Sequence, residues 1–121
     1  CVCCGYLTFK QEPGSHEICT ICHWQDDSVG LRWPRDPSGG PTTISLEQAQ
    51  QNFSAFGACE ERFVARITAP GNRILREPGF RPIDPRRDPV ERQHERPYRE
   101  WPYHPQDLYW WRPNYWLRSH R

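Results

Sequence analysis

The apolar residues of this chain keep a steady period over one stretch. Leu46, Ala49, Phe53 and Phe56 are spaced three, four and three apart, which places them on one face of an α-helix. Ser45 stands before the stripe and Gln48 three residues later, the pattern in which a hydroxyl caps the first turn. Gly57 follows where a left-handed terminator is favoured, so the pattern predicts a helix over Leu46–Phe56. Cys59, Phe63 and Ile67 then recur every four residues up to the stop at Pro70 and Gly71, predicting a second short helix. Upstream, Thr8, Phe9 and Lys10 on one side and His16, Glu17 and Ile18 on the other flank the turn formers Glu12, Pro13, Gly14 and Ser15, which reads as a short β-hairpin. Between Trp33 and Thr43, the breakers Pro34, Asp36, Pro37, Ser38, Gly39, Gly40 and Pro41 predict a linker loop. The two helical stripes, with Tyr6, Leu7, Phe9, Ile18, Trp24 and Leu31, are expected to form one small core.

Beyond residue 70 the period disappears. That segment carries eight prolines and eleven arginines, which favours extended or polyproline backbone over helix. It is also aromatic, unlike ordinary disorder, with Trp101, Tyr103, Tyr109, Trp110, Trp111, Tyr115 and Trp116. The division is therefore 1–70, a folded head, and 71–121, an extended and mostly irregular tail rich in Pro, Arg and aromatic residues that lies on the head or on a partner. Charge follows the same division: the head holds five basic and eight acidic residues and the tail eleven and seven, so the net +1 conceals two regions of opposite sign. No stretch approaches 18 consecutive apolar residues and no basic-then-apolar leader opens the chain, so a soluble cytoplasmic protein with no membrane insertion is expected.

Four of the six cysteines form two Cys-x-x-Cys pairs, Cys1 with Cys4 and Cys19 with Cys22. Such a pair aims two thiolates at one ion, whereas a disulfide within it is strained, so metal is favoured over crosslinking. Zinc binds four soft ligands in a tetrahedron, and two tight turns joined by a hairpin supply them as two zinc knuckles. The expected site is one structural Zn2+ on Cys1, Cys4, Cys19 and Cys22. His16 and His23 are alternatives for one thiolate, Cys3 is too close to Cys4 to join it on the same ion, and Cys59 is read as a small buried apolar residue that could approach Cys3 or the metal. The fold class is a small α+β zinc-binding domain, with two zinc knuckles and a β-hairpin followed by two short helices, and then the tail.

Cys1-Val2-Cys3-Cys4-Gly5-Tyr6, Glu17-Ile18-Cys19-Thr20-Ile21-Cys22-His23-Trp24-Gln25-Asp26-Asp27, Asn52-Phe53 and Phe56-Gly57-Ala58-Cys59-Glu60-Glu61-Arg62 together resemble the bacterial cysteine-rich CPCC family over roughly residues 1–70. Members usually carry proline at the positions of Val2 and Thr20 and an aromatic at that of His23. The ligand positions are unchanged. The resemblance implies a bacterial zinc-binding domain; it brings no catalytic set, and the tail lies outside it.

Function classes separate on the same residues. Four cysteines leave a zinc ion closed, no nucleophile is matched with a base, and Cys59 beside Glu60 and Glu61 is disfavoured as a thiolate, so no catalytic or further cofactor-binding residues are assigned and no enzyme is expected. Arginine interleaved with aromatics suits single-stranded nucleic acid or RNA, but the acidic head and the acids scattered through the tail blunt that field. The favoured reading is a protein-binding module, an accessory subunit of a larger assembly or a neutralising immunity-type protein. It would grip its partner through Trp101, Tyr103, Tyr109, Trp110, Trp111, Arg112, Tyr115 and Trp116, residue types that dominate interface hot spots. The competing expectation is that these aromatics fold back and complete the core of the head, since a head of this size buries little apolar surface alone.

Overall fold

A computed structural model describes residues 1–37, 44–69, 71, 74–93 and 100–117. The predicted helix forms as α2 (Leu46–Phe56), after a five-residue α1 (Ser28–Arg32) that the sequence pattern did not announce. The Ser45 hydroxyl accepts the Gln48 N–H at 3.1 Å, and Gly57, at φ 82°, closes the helix with its N–H on the Phe53 carbonyl. Leu46 and Ala49 are buried, whereas Phe56, at the end of the expected stripe, is exposed. In α1 the Asp27 carboxylate caps the Val29 N–H at 3.0 Å. The expected second short helix appears as a 3-10 helix, Glu61–Arg66, and another 3-10 turn spans Pro105–Leu108. Half of the predicted linker loop, residues 38–43, lies outside the described residues, as does Pro70.

The β-hairpin expected between Thr8 and Ile18 is corrected by the structure. Among the described residues the strand-like pairings are two isolated antiparallel bridges, Tyr6 with Arg76 and Ile18 with Gln25. Carboxylates take the donors that a ladder would have used. Glu17 accepts the N–H groups of Lys10 and Gln11, each at 3.2 Å, and the buried Asp26 accepts those of Gly14 at 2.7 Å and Ser15 at 2.9 Å. His16, at φ 66°, also breaks the extended backbone a strand would need.

Of the two expectations for the tail, lying on the head or on a partner, residues 74–93 and 100–117 show the first. Their backbone is mostly irregular, as expected, but it lies on the head. Leu7 N–H donates to the Leu75 carbonyl and Glu77 N–H to the Gly5 carbonyl, each at 2.8 Å, and Arg76 Nε reaches the Cys4 carbonyl at 2.9 Å. Ile83, Leu108, Trp110, Tyr115, Trp116 and Leu117 share one buried cluster with Val2, Cys3, Trp24, Leu31 and Leu46, so the hydrophobic core runs across residue 70. Leu7 and Ile18, expected inside, are more than half exposed. The tail aromatics supply apolar surface that the first 70 residues lack, which is what a small cysteine-rich unit requires.

Buried polar groups fasten the two parts. Gln50 donates from Nε2 to the Val2 carbonyl at 2.9 Å and accepts the Ile83 N–H at 3.0 Å, so its amide is satisfied from both sides. Arg32 is fully buried. Its Nε donates to Glu91 at 2.7 Å, and its guanidinium carbon lies 4.7 Å from the ring centroids of Trp33 and Trp101 and 4.8 Å from that of Trp116. Three indole faces around one cation offset part of its desolvation.

Candidate metal centre

Two turns of matching form build the site. In the first, Gly5 N–H donates to the Cys1 carbonyl at 2.8 Å, and in the second His23 N–H donates to the Cys19 carbonyl at the same distance. Each turn is closed further by its first cysteine, whose nitrogen donates to the residue five positions on: Cys1 to the Tyr6 carbonyl at 2.7 Å and Cys19 to the Trp24 carbonyl at 2.9 Å. Both turns require left-handed backbone after the second cysteine, at φ 82° for Gly5 and 70° for His23. Glycine takes this at no steric cost. His23 takes it while its ring packs on Phe63, 4.2 Å between centroids.

The turns face one another. The Cys1 and Cys22 sulfurs lie 3.6 Å apart and those of Cys4 and Cys19 3.7 Å apart, and all four fall within 4.8 Å of one another. A disulfide would hold two sulfurs at about 2.05 Å, and none of the six cysteines forms one. A tetrahedron with metal–sulfur arms of about 2.3 Å has edges of about 3.8 Å. The donor set therefore fits a metal ion in chemistry and in size. Cys4, Cys19 and Cys22 are wholly buried and Cys1 is partly exposed.

Further groups steady the sulfurs. The Thr8 hydroxyl donates to Cys19 Sγ at 3.2 Å and the Ile21 N–H to the same sulfur at 3.4 Å. Hydrogen bonds from Cys22 and Cys4 pull the Cys19 thiol well below its ordinary pKa, and the contact with Cys19 pushes Cys4 and Cys22 up. Four sulfurs this close repel one another as thiolates, the condition that a cation relieves. Cys3 stays outside the set, and burial raises its thiol. Cys59 also stays outside: burial first and Glu60 second push it up to about 12, as expected of a packing residue. Its N–H donates to the Cys22 carbonyl at 2.8 Å, and its own carbonyl accepts from Asn52 Nδ2 at 2.9 Å, so α2 is tied directly to the second turn. His16 and His23 are likewise not in the set.

The residues read as partner-binding divide by burial. Trp110, Tyr115 and Trp116 are core residues, with Trp110 Nε1 donating to the Arg81 carbonyl at 3.0 Å. Tyr109, Trp111 and Arg112 are half-buried around Glu77, which accepts from Trp111 Nε1 and from Arg112 Nε and Nη2. Trp101 and Tyr103 face outward, at 43 % and 92 % exposure. Thr8 was missed in the sequence as a group acting on sulfur, and no local signal marks it. The matched closure of the turns left a trace, an aromatic two positions after the second cysteine of each pair, Tyr6 and Trp24.

Among the described residues no helix is long and apolar enough to cross a membrane. No curated protein and no solved structure matches the chain. The family model described as "Cysteine-rich CPCC" matches residues 1–73, well over half of the sequence, and with the four-sulfur cluster inside that span the chain belongs to the cysteine-rich CPCC family.

Proposed function

We propose that Cys1, Cys4, Cys19 and Cys22 hold one structural Zn2+ as two zinc knuckles, and that the domain so held is a non-enzymatic protein-interaction module of the cytoplasm. The observation that carries the metal assignment is the four-sulfur set, with all sulfurs within 4.8 Å of one another and two of its edges, 3.6 and 3.7 Å, of tetrahedral size. When bound, zinc joins the two turns and contributes on the order of 10 kcal/mol of apparent binding energy that is also folding energy. Four thiolates fill its coordination, which supports a structural role over Lewis-acid chemistry. Six free thiols suit a reducing compartment.

The interaction reading moves from the whole tail to its outward face. Tyr103, with Trp101 two residues away and the His104 ring edge-on at 4.9 Å, presents aromatic surface to solvent. Such side chains anchor protein interfaces at small entropic cost. A nucleic-acid role receives less support, because Arg32, Arg81, Arg92 and Arg112 are each engaged by a carboxylate, from Glu91, Asp88, Asp36 and Glu77. The test is affinity capture from the native host with the full chain and with Tyr103→Ser, alongside metal analysis. The expected result is loss of a specific partner from the variant with zinc content unchanged. Equal capture by both proteins would discard the role of this face.

A further inference from the structure

The head and the returning chain meet in a short antiparallel ribbon. Tyr6 pairs with Arg76, and the bonds around them run from the Leu7 N–H to the Leu75 carbonyl and from the Glu77 N–H to the Gly5 carbonyl, each at 2.8 Å. Tyr6 and Arg76 are therefore a pair whose own polar groups face away from one another, so the Arg76 N–H and C=O point to the outer edge. Neither has a partner among the described residues, and Arg76 is exposed. On the opposite edge the Tyr6 carbonyl already accepts the Thr8 N–H at 2.9 Å. Pro78, two residues beyond Arg76, has no N–H and ends the row of donors. The ribbon thus offers one short open edge centred on Arg76.

Both faces of the ribbon add chemistry to that edge. Side chains alternate along a strand, so Leu7 and Leu75 lie across from one another on one face, and Tyr6 and Arg76 on the other. Leu7 is 55 % and Leu75 68 % exposed, which leaves a cross-strand leucine pair in water. On the other face the Arg76 guanidinium carbon lies 5.4 Å from the Tyr6 ring centroid, and Nε donates to the Cys4 carbonyl at 2.9 Å. Arg32, Arg81, Arg92 and Arg112 each meet a carboxylate, whereas Arg76 meets none among the described residues. Free backbone groups, uncovered leucines and an unneutralised cation on one edge are what strand addition uses: the main chain supplies adhesion, and alternate side chains select the partner.

We propose that the Arg76 edge docks an extended segment of a partner protein that carries an acidic residue between two apolar ones. The acidic residue sits opposite Arg76 and exchanges both backbone hydrogen bonds with it, while its carboxylate meets the guanidinium. The flanking side chains fall on the other face and extend the apolar surface of Leu75 and Leu7. A second copy of this chain is a poor occupant, because symmetric pairing centred on this residue sets Arg76 opposite Arg76, and like charges directly across a ladder destabilise it. The proposal involves neither the metal nor Tyr103.

The experiment uses the full chain, isotope-labelled and reduced, with the end-blocked pentapeptides TVEVT and TVKVT. The expected result is that TVEVT moves the amide NMR signals of Arg76, Leu75 and Leu7 saturably, and that TVKVT needs about tenfold higher concentration. Methylating the nitrogen of the central glutamate removes the N–H that reaches the Arg76 carbonyl and weakens binding by at least the same factor. Methylating the nitrogen of the following valine, which points away from the edge, leaves binding unchanged. Leu75→Ser, a change at an exposed position, weakens both peptides several-fold. Equal affinity for TVEVT and TVKVT, equal effects of the two methylations, a Leu75→Ser chain that binds as before, shifts centred on other residues, or no shift at millimolar peptide would each overturn the proposal. So would peptide-free shifts of the Arg76 amide that grow with protein concentration, which would give the edge to a second copy.

Discussion

Replacing Gly5 with alanine tests the joint between the first cysteine turn and the returning chain. A Cβ at this position would lie 2.3, 2.7 and 2.8 Å from the Cδ1, Cγ and Cε1 atoms of Phe80, distances that real contacts do not reach. The backbone is left-handed there, at φ 82°, which costs an L side chain roughly 1–2 kcal/mol. Overpacking against the ring adds about 1–3 kcal/mol, because Phe80 must give up part of its packing on Trp110 and Trp111 to admit the methyl group. Gly5→Ala should therefore destabilise the metal-loaded chain by about 2–5 kcal/mol, the sum of those two effects. The assay is guanidinium denaturation followed by tryptophan fluorescence, repeated in a Phe80→Ala background. There the steric part vanishes, and Gly5→Ala costs only the backbone part, about 1–2 kcal/mol. An equal cost in both backgrounds would refute the packing of Phe80 on this turn.

Other consequences are as direct. Glu91→Ala removes the carboxylate that the buried Arg32 Nε donates to and should cost about 3–5 kcal/mol, while the double change Arg32→Met with Glu91→Leu costs less; equal losses in denaturation would show that the buried charge is not what matters. Thr8→Val removes the hydroxyl donated to Cys19 and should lower metal affinity by about 10–100-fold in a competition assay with a chromophoric chelator, with little change in the circular dichroism of the loaded chain. Burial pushes the Glu77 carboxyl up, but hydrogen bonds from Arg112 and Trp111 outweigh it and hold the folded pKa below its ordinary 4.5. A lowered carboxylate stabilises the fold above its unfolded pKa and loses that contribution as pH falls through the folded value, so Glu77→Gln should flatten the stability curve below pH 4.5, and an unchanged acid limb would contradict the pairing.

The sequence exposed the parts whose physics is local. Helix α2 was legible to its ends because Ser45 and Gly57 satisfy the terminal backbone groups and Leu46, Ala49 and Phe53 carry the period. The four metal-site cysteines were legible because a Cys-x-x-Cys turn is itself a short-range geometry. What escaped was decided at a distance. The expected hairpin gave way because Glu17 and Asp26 capture the loop's N–H groups, and nothing in the alternation of Thr8 to Ile18 marks a strand residue's own carboxylate, or one from beyond the loop, as the competitor. Helix α1, at five residues, is too short for a periodic stripe to mark it. The packing of residues 74–93 and 100–117 was visible as an alternative from aromatic content, but their irregular backbone has no period from which to read a buried face. Arg32 illustrates the difficulty: a charged residue is expected outside, and its burial is offset by groups distant in sequence, among them Trp101, Trp116 and Glu91.

The most direct measurement is zinc-edge X-ray absorption on the full chain purified under reducing conditions, with metal content determined on the same sample. One zinc per chain in a shell of four sulfurs at about 2.3 Å is the predicted result. A shell containing nitrogen or oxygen in place of a sulfur, or a folded chain with no metal and its four cysteines joined as disulfides, would contradict it.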